Sequence, residues 1–309
     1  MATITAKDVA ALRAKTGIGM MECKKALVEA DGDMDAAVKL LREKGQLKAE
    51  GKAGRIAADG IVDILQQGNL TAMIEVNSET DFVAKNATFQ AFVKDVLKTI
   101  LTARPANVDE LLAAEYPDGS MTVDAKLKEM IFVIGEKLSI RRFVVVEGTV
   151  STYIHGMGSI GVIVKFDADE TAKNNAGFAQ YAKNLALQVA ADPVPYLCRE
   201  DVPASVIEEE KSILMAQIAN DPANAKKPPQ IIEKMVTGRI SKYYDTHCLL
   251  DMAYIKEDNM KVAQYIAATE KELGGKAPVV AYFRFEKGEG IEKREDNFAE
   301  EIAKMTGKA

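Results

Sequence analysis

Few residues in this chain have the types and spacing that covalent or metal chemistry needs. Its only histidines are His155 and His247, and a metal site on either is not expected. A serine or cysteine nucleophile paired with one of them has no local support, and an ordinary surface or core histidine is the simpler reading. The run Gly156-Met157-Gly158-Ser159-Ile160-Gly161 matches G-x-G-x-x-G. A dinucleotide site needs that loop to open a helix whose N-terminus receives the pyrophosphate. Here the β-branched run Ile160–Phe166 follows, so a glycine-rich hairpin turn is expected instead. There is no G-x-x-x-x-G-K-[ST] loop. These patterns point to no catalytic residue, no metal and no cofactor, although an enzyme built on the glycine-rich turn and His155 stays open as an alternative.

Contact chemistry has better candidates. The stretch Asp59–Asn86 (DGIVDILQQGNLTAMIEVNSETDFVAKN) returns without gaps as Glu147–Asn174 (EGTVSTYIHGMGSIGVIVKFDADETAKN). Gly60, Gly68 and Asp81 return 88 residues later as Gly148, Gly156 and Asp169. Phe82 in the first copy is Glu170 in the second. A buried charge is rare unless paired, so a position that tolerates glutamate in one copy is expected to be exposed in both. An exposed aromatic ring is a candidate contact. Asp81 reads as a helix N-cap, with Asp169 in the same role. Met20-Met21 follow a Gly-x-Gly bend, and adjacent residues on a helix point about 100° apart. At most one of the pair suits a core, and the other could serve as a soft contact. His155, on the edge of the second turn, reads as a solvated residue or as a rim contact.

The elements that must hold these residues are legible from periodicity. Thr5 is placed to cap a first helix that ends at Gly17. A second helix runs from Met20 to Ala30 with Met20, Cys23 and Leu27 on one face. Asp33 caps a third that carries Ala37, Leu40 and Leu41 and is expected to stop at Gly45. Gln46–Arg55 reads as a helical or flexible linker. Each copy of the repeat then reads strand, turn, strand, loop, helix, the helices being Phe89–Leu101 and Gly177–Ala190. A polar segment, Asn107–Asp118, and a helical one, Val123–Leu138, lie between the copies. Ala204–Asn220 and Pro229–Tyr244 form a helical hairpin resembling a short coiled coil. Tyr244–Leu273 reads as irregular. Val279–Glu286 alternates as a strand, and Asp296–Met305 closes the chain as an amphipathic helix.

The expected class is therefore α+β, with two duplicated subdomains of antiparallel sheet plus helix. The expected divisions are 1–55, 56–140, 141–290 with the hairpin 204–244 inside it, and 291–309. The 309 residues carry 40 basic and 46 acidic side chains for a net charge of −6, which gives no support to a nucleic-acid partner. No apolar run reaches membrane-spanning length. Cys23, Cys198 and Cys248 are odd in number and far apart, which suits a reducing compartment, and a cytoplasmic protein is expected.

Five stretches together closely resemble the bacterial elongation factor Ts family. They are Leu12–Leu27 (LRAKTGIGMMECKKAL), Glu75–Asn86 (EVNSETDFVAKN), Tyr153–Val164 (YIHGMGSIGVIV), Gln188–Leu197 (QVAADPVPYL) and Phe283–Lys293 (FRFEKGEGIEK). They occur in order across nearly the whole chain. The resemblance implies a ubiquitin-associated (UBA)-like N-terminal three-helix bundle, a duplicated core, a protruding helical hairpin and a C-terminal helical module. It also implies a nucleotide-exchange factor for the GTPase elongation factor Tu, not an enzyme. In that reading Thr80, Asp81, Phe82 and Val83 insert beside the partner's nucleotide site and disturb its Mg²⁺. Leu12, Arg13 and Met20 would touch the partner's nucleotide-binding domain, and His155 another of its domains. A homodimer or a two-to-two complex is compatible with the hairpin. An adaptor that works through the N-terminal bundle alone is the remaining alternative.

Overall fold

The computed structural model describes residues 4–221 and 227–292. The expected helix Asp296–Met305 and the centre of the loop Asp221–Pro228 lie outside those residues. Two compact units emerge among the described residues. One takes the chain up to Val145, then Gly156–Ile160 and the residues from Phe285 onward; the other takes Val146–His155 and Gly161–Arg284.

The first unit opens with three helices. Helix α1, Ala6–Thr16, starts at a reciprocal cap between Thr5 and Asp8 and ends at Gly17, whose φ of +69° suits a residue without a Cβ. Helix α2 spans Met20–Glu29, and α3, capped by Asp33, spans Met34–Glu50. Helix α3 does not stop at Gly45, so half of the expected linker is helix. Gly45 keeps a helical backbone and is buried, with Phe132 Cβ 3.5 Å from where a Cβ of its own would stand. That glycine permits close packing; it does not terminate the helix. Phe132 also joins Val9, Leu12, Cys23, Leu27 and Leu41 in the bundle's core, so this small bundle borrows apolar surface from a later helix.

Strands β1, Asp59–Gln67, and β2, Leu70–Ser78, pair antiparallel from Asp59↔Ser78 to Gln67↔Leu70. Their turn is Gly68-Asn69, with Gly68 at φ +62°. The four-residue helix α4, Asp81–Ala84, and the long helix α5, Ala87–Ala103, follow. The segment expected to be polar contains α6, Val108–Ala113. Helix α7 covers Val123–Ile134 and is ended by Gly135 at φ +84°, short of the expected Leu138, which instead begins β3, Leu138–Glu147. The sheet order is β1-β2-β3. Helix α5 covers it, burying Phe89, Phe92, Val96 and Ile100 against Ile74 and Val76.

The second sheet repeats the plan. Strands β4, Thr149–His155, and β5, Ile160–Phe166, lead to α8, Glu170–Asn174, and α9, Phe178–Ala191. Helices α10, Ala204–Asn220, and α11, Pro229–His247, pack through Leu214, Ile218, Val236 and Ile240, while Ile213 and Ile231 stay exposed. Tyr244–Leu273 is more regular than its sequence suggests. It holds the hairpin β6, Ala253–Tyr254, with β7, Glu257–Lys261, and then α12, Val262–Leu273. Tyr254 stacks on Tyr265 with ring centroids 4.1 Å apart. Strand β8, Val279–Glu286, completes the sheet order β4-β5-β8.

The duplication extends to backbone detail. Gly60 and its twin Gly148 both hold positive φ, +122° and +111°. Their surroundings differ. A Cβ on Gly60 would lie 2.1 Å from the Val76 carbonyl oxygen, whereas one on Gly148 would meet the flexible end of Lys165 at 3.6 Å. Gly60→Ala is therefore expected to cost about 2 kcal/mol or more, from strain plus a backbone clash, and Gly148→Ala clearly less. Urea denaturation of the two variants checks the order, and equal costs would contradict it.

Candidate functional site

The site is built from the end of β2 outward. Strand β2 buries every residue from Thr71 to Ser78, and the chain then emerges over Glu79 and Thr80 into α4. Phe82, in that single turn, is 76% exposed, as its twin's charge requires. Glu170 is exposed as well, and pairs with Lys173. Val83, one residue on, is buried in the sheet–helix core and anchors the turn. Three successive residues thus divide their work: Val83 faces the core, while Asp81 and Phe82 face out.

Asp81 is not the N-cap. That position belongs to Thr80, whose extended backbone has φ −130° and whose side chain caps nothing in α4. In the second copy Asp169 does cap α8, accepting from the Ala172 amide at 2.8 Å. The helix start has moved by one residue between the copies, so the Asp81 carboxylate caps no helix. It accepts instead from Lys85 Nζ at 2.9 Å, an exposed i,i+4 pair, and this bond is the main cause of its lowered pKa. The same ammonium lies 5.7 Å from the Phe82 ring centroid, within cation–π range. An exposed ring flanked by a carboxylate and an ammonium can bind an apolar crevice with a polar rim, which is docking chemistry and not bond-breaking chemistry.

The strand beneath is held by a buried charge. Glu75 is fully buried and accepts from Arg141 Nη1 at 3.0 Å, Arg142 Nε at 2.6 Å, Asn77 Nδ2 at 3.1 Å and the Gly288 amide at 2.8 Å. Burial alone would raise its pKa; the Gly288 amide, Asn77 and the two arginines outweigh it and leave the pKa lowered. Arg142 also reaches Glu289, and Lys287 reaches Asp59 at 2.6 Å, so the segment after β8 is fastened to this sheet.

Elsewhere the candidates fare differently. Leu12 is fully buried in the bundle core and presents no surface, while its neighbour Arg13 is exposed. Met20 and Met21 are 49% and 66% exposed, so neither fills the core, and Met20 does not share the buried face of Cys23 and Leu27. His155 is exposed at the end of β4, with Tyr153 Oη 3.0 Å from its Nδ1. The glycine-rich run opens onto β5, a strand, which removes the helix a pyrophosphate site would need. At its tip, Met157 is the most exposed large apolar side chain among the described residues, at 81%, with φ +54°. Sequence reasoning passed over it, although a methionine between two turn glycines has little to pack against. Lys85 was also missed, although its i,i+4 spacing from Asp81 was there to be read.

Among the described residues no helix is long and apolar enough to cross a membrane. The family model for elongation factor TS matches residues 79–289, a range that includes Phe82 and His155. Elongation factor Ts of Syntrophotalea carbinolica is 44% identical over 307 residues, covering 98% of this chain and 99% of that protein. The factors of Trichlorobacter lovleyi and Clostridioides difficile are 45% and 46% identical, covering 98% and 99% of this chain and 99% of each relative. With similarity of this depth along nearly its full length, the chain belongs to the elongation factor Ts family.

Proposed function

We propose that this chain binds elongation factor Tu in its GDP form and promotes GDP release and GTP exchange, with the Thr80–Val83 element displacing the partner's Mg²⁺. Family membership supports the coarser statement, a nucleotide-exchange factor and not a catalytic enzyme. The observation that carries the finer one is Phe82, a 76%-exposed ring on an ordered turn whose twin in the repeat is a glutamate.

An exchange factor needs no acid, base or metal of its own. It must bind the nucleotide-free GTPase better than the nucleotide-bound form, and by reciprocity nucleotide then weakens its grip by the same factor. Mg²⁺ is a large local charge on the bound nucleotide, so a wedge that disturbs its ligands loosens the phosphates. In this reading Phe82 is the wedge, Asp81 with Lys85 its polar rim and Val83 its anchor. Arg13 and Met20 are further contacts on the N-terminal bundle, which we take to be UBA-like, with Leu12 shaping that face from beneath. His155 is a contact on the second subdomain. The proposal places the protein in the cytoplasm, with no nucleic acid or membrane as a direct partner, and divides it at 1–55, 56–140, 141–290 and 291–309. The helical hairpin is a candidate surface for a homodimer or a two-to-two complex.

The test is release of fluorescent GDP from purified factor Tu, with and without this chain. Acceleration by substoichiometric amounts is the expected result. An unchanged rate, or nucleotide heat from the chain alone in calorimetry, would sink the reading in favour of a nucleotide-using protein.

A further inference from the structure

We propose that Glu136 is a positioning residue for exchange, which sets the direction of Phe82 by gripping Thr80; this rests on the role given to Phe82 above. Thr80 immediately precedes α4, two residues before the ring. Its amide donates to Glu136 Oε2 at 2.9 Å and its hydroxyl to Glu136 Oε1 at 2.7 Å. One carboxylate therefore takes both donors of the residue that starts the turn. The grip is returned next door, where Glu79 Oε1 accepts from the Lys137 amide at 2.6 Å and pairs with Arg55. Residues 79 and 80 are thus exchanged, carboxylate for amide, with residues 137 and 136.

The need for such a grip follows from α4 itself. Four residues make one turn, well below the length at which a helix is stable alone. Thr80 supplies no side-chain cap, and its hydroxyl donates to Glu136. The ring is too exposed for packing to fix its direction, so the backbone must fix it. Val83 anchors one end of the turn in the core, and Glu136 holds the other. The holder is itself well mounted, between Gly135, which ends α7, and the start of β3. The Gly135 carbonyl accepts from Lys52, and Lys137 Nζ donates to the Ala53 and Arg55 carbonyls at 2.7 Å. In the second copy the capping aspartate, Asp169, serves its own helix. In the first, no side chain caps the helix; a carboxylate 56 residues away holds the residue before it, and Asp81 is left facing outward.

The test compares wild type, Glu136→Ala, Glu136→Gln, Phe82→Ala and the Glu136→Ala/Phe82→Ala double variant. Each is titrated against factor Tu loaded with fluorescent GDP, and thermal midpoints are recorded. Loss of two hydrogen bonds to a charged group should lower the maximal release rate of Glu136→Ala about tenfold. The half-saturating concentration should move by less than about twofold, because this change acts on the transition state of release and not on docking. Glu136→Gln, which keeps one acceptor oxygen, should fall between and covers the case in which the alanine variant folds poorly. In the Phe82→Ala background the Glu136→Ala change should add nothing, since a grip that acts through the ring has no ring to act on. A wild-type rate for Glu136→Ala, or additive effects in the double variant, overturns the positioning role while a slow Phe82→Ala leaves the wedge standing. A wild-type rate for Phe82→Ala overturns both.

Discussion

Phe82→Ala should slow factor-catalysed GDP release from elongation factor Tu by about 100-fold while leaving the fold intact. The size follows from a central aromatic anchor, for which truncation costs about 2–4 kcal/mol at the docked surface. The fold should be indifferent because the ring is 76% exposed and lies outside the core cluster that Val83 joins. Surface changes of this kind move stability by about 0.5 kcal/mol or less. The two readouts, stopped-flow release and thermal unfolding, must therefore separate. A variant that loses activity and stability together would show that the ring supports its own turn and is no wedge. Phe82→Leu should recover part of the rate, since an apolar side chain still fills a crevice but lacks the flat face that Lys85 approaches at 5.7 Å.

The second large effect concerns stability. Glu75→Gln should destabilise the protein by about 3 kcal/mol, because it leaves the Arg141 and Arg142 guanidiniums facing a neutral amide in a site with no access to water for the carboxylate. For a protein of this size that is a fall in thermal midpoint of about 5 °C. The pH dependence has a definite sign. The pKa of Glu75 is lowered in the folded state, so its stabilisation is complete above the ordinary glutamate range and fades as pH falls through the lowered value. Wild type should therefore lose its advantage over Glu75→Gln in acid, and the two melting curves should converge. Parallel curves at all pH values would show that another group carries the charge.

The repeat was legible because its punctuation survives: glycines at two positive-φ sites per copy and alternating apolar residues between them. The outward direction of Phe82 could be inferred for the same reason, from a charge in the matching position. What could not be read was decided by distant partners. Asp81 looked like a cap because nothing nearby shows that this helix begins one residue earlier than its counterpart in the second copy. Gly45 looked like a stop because its neighbour Phe132 comes from another helix. Leu12 and Arg13 are adjacent in one motif, and only the bundle's packing shows that one is core and the other surface. Glu75 would be assigned to solvent by residue type, since its four donors come from strands and loops up to 213 residues away. The hairpin and helix within Tyr244–Leu273 escaped notice because β6 is only two residues long and stacked tyrosines, not an alternating pattern, hold its neighbourhood together.

The one-residue difference in helix start between the copies has an evolutionary consequence. A duplicated frame that folds with an aromatic at one tip and a glutamate at the other is mutationally robust at that tip. Substitutions there are screened for partner fit with little penalty for folding, whereas the strands carry the core. The second tip, at Glu170, is then a spare mount: a place where a new contact could arise in this lineage, or be grafted by design, without rebuilding the sheet beneath it.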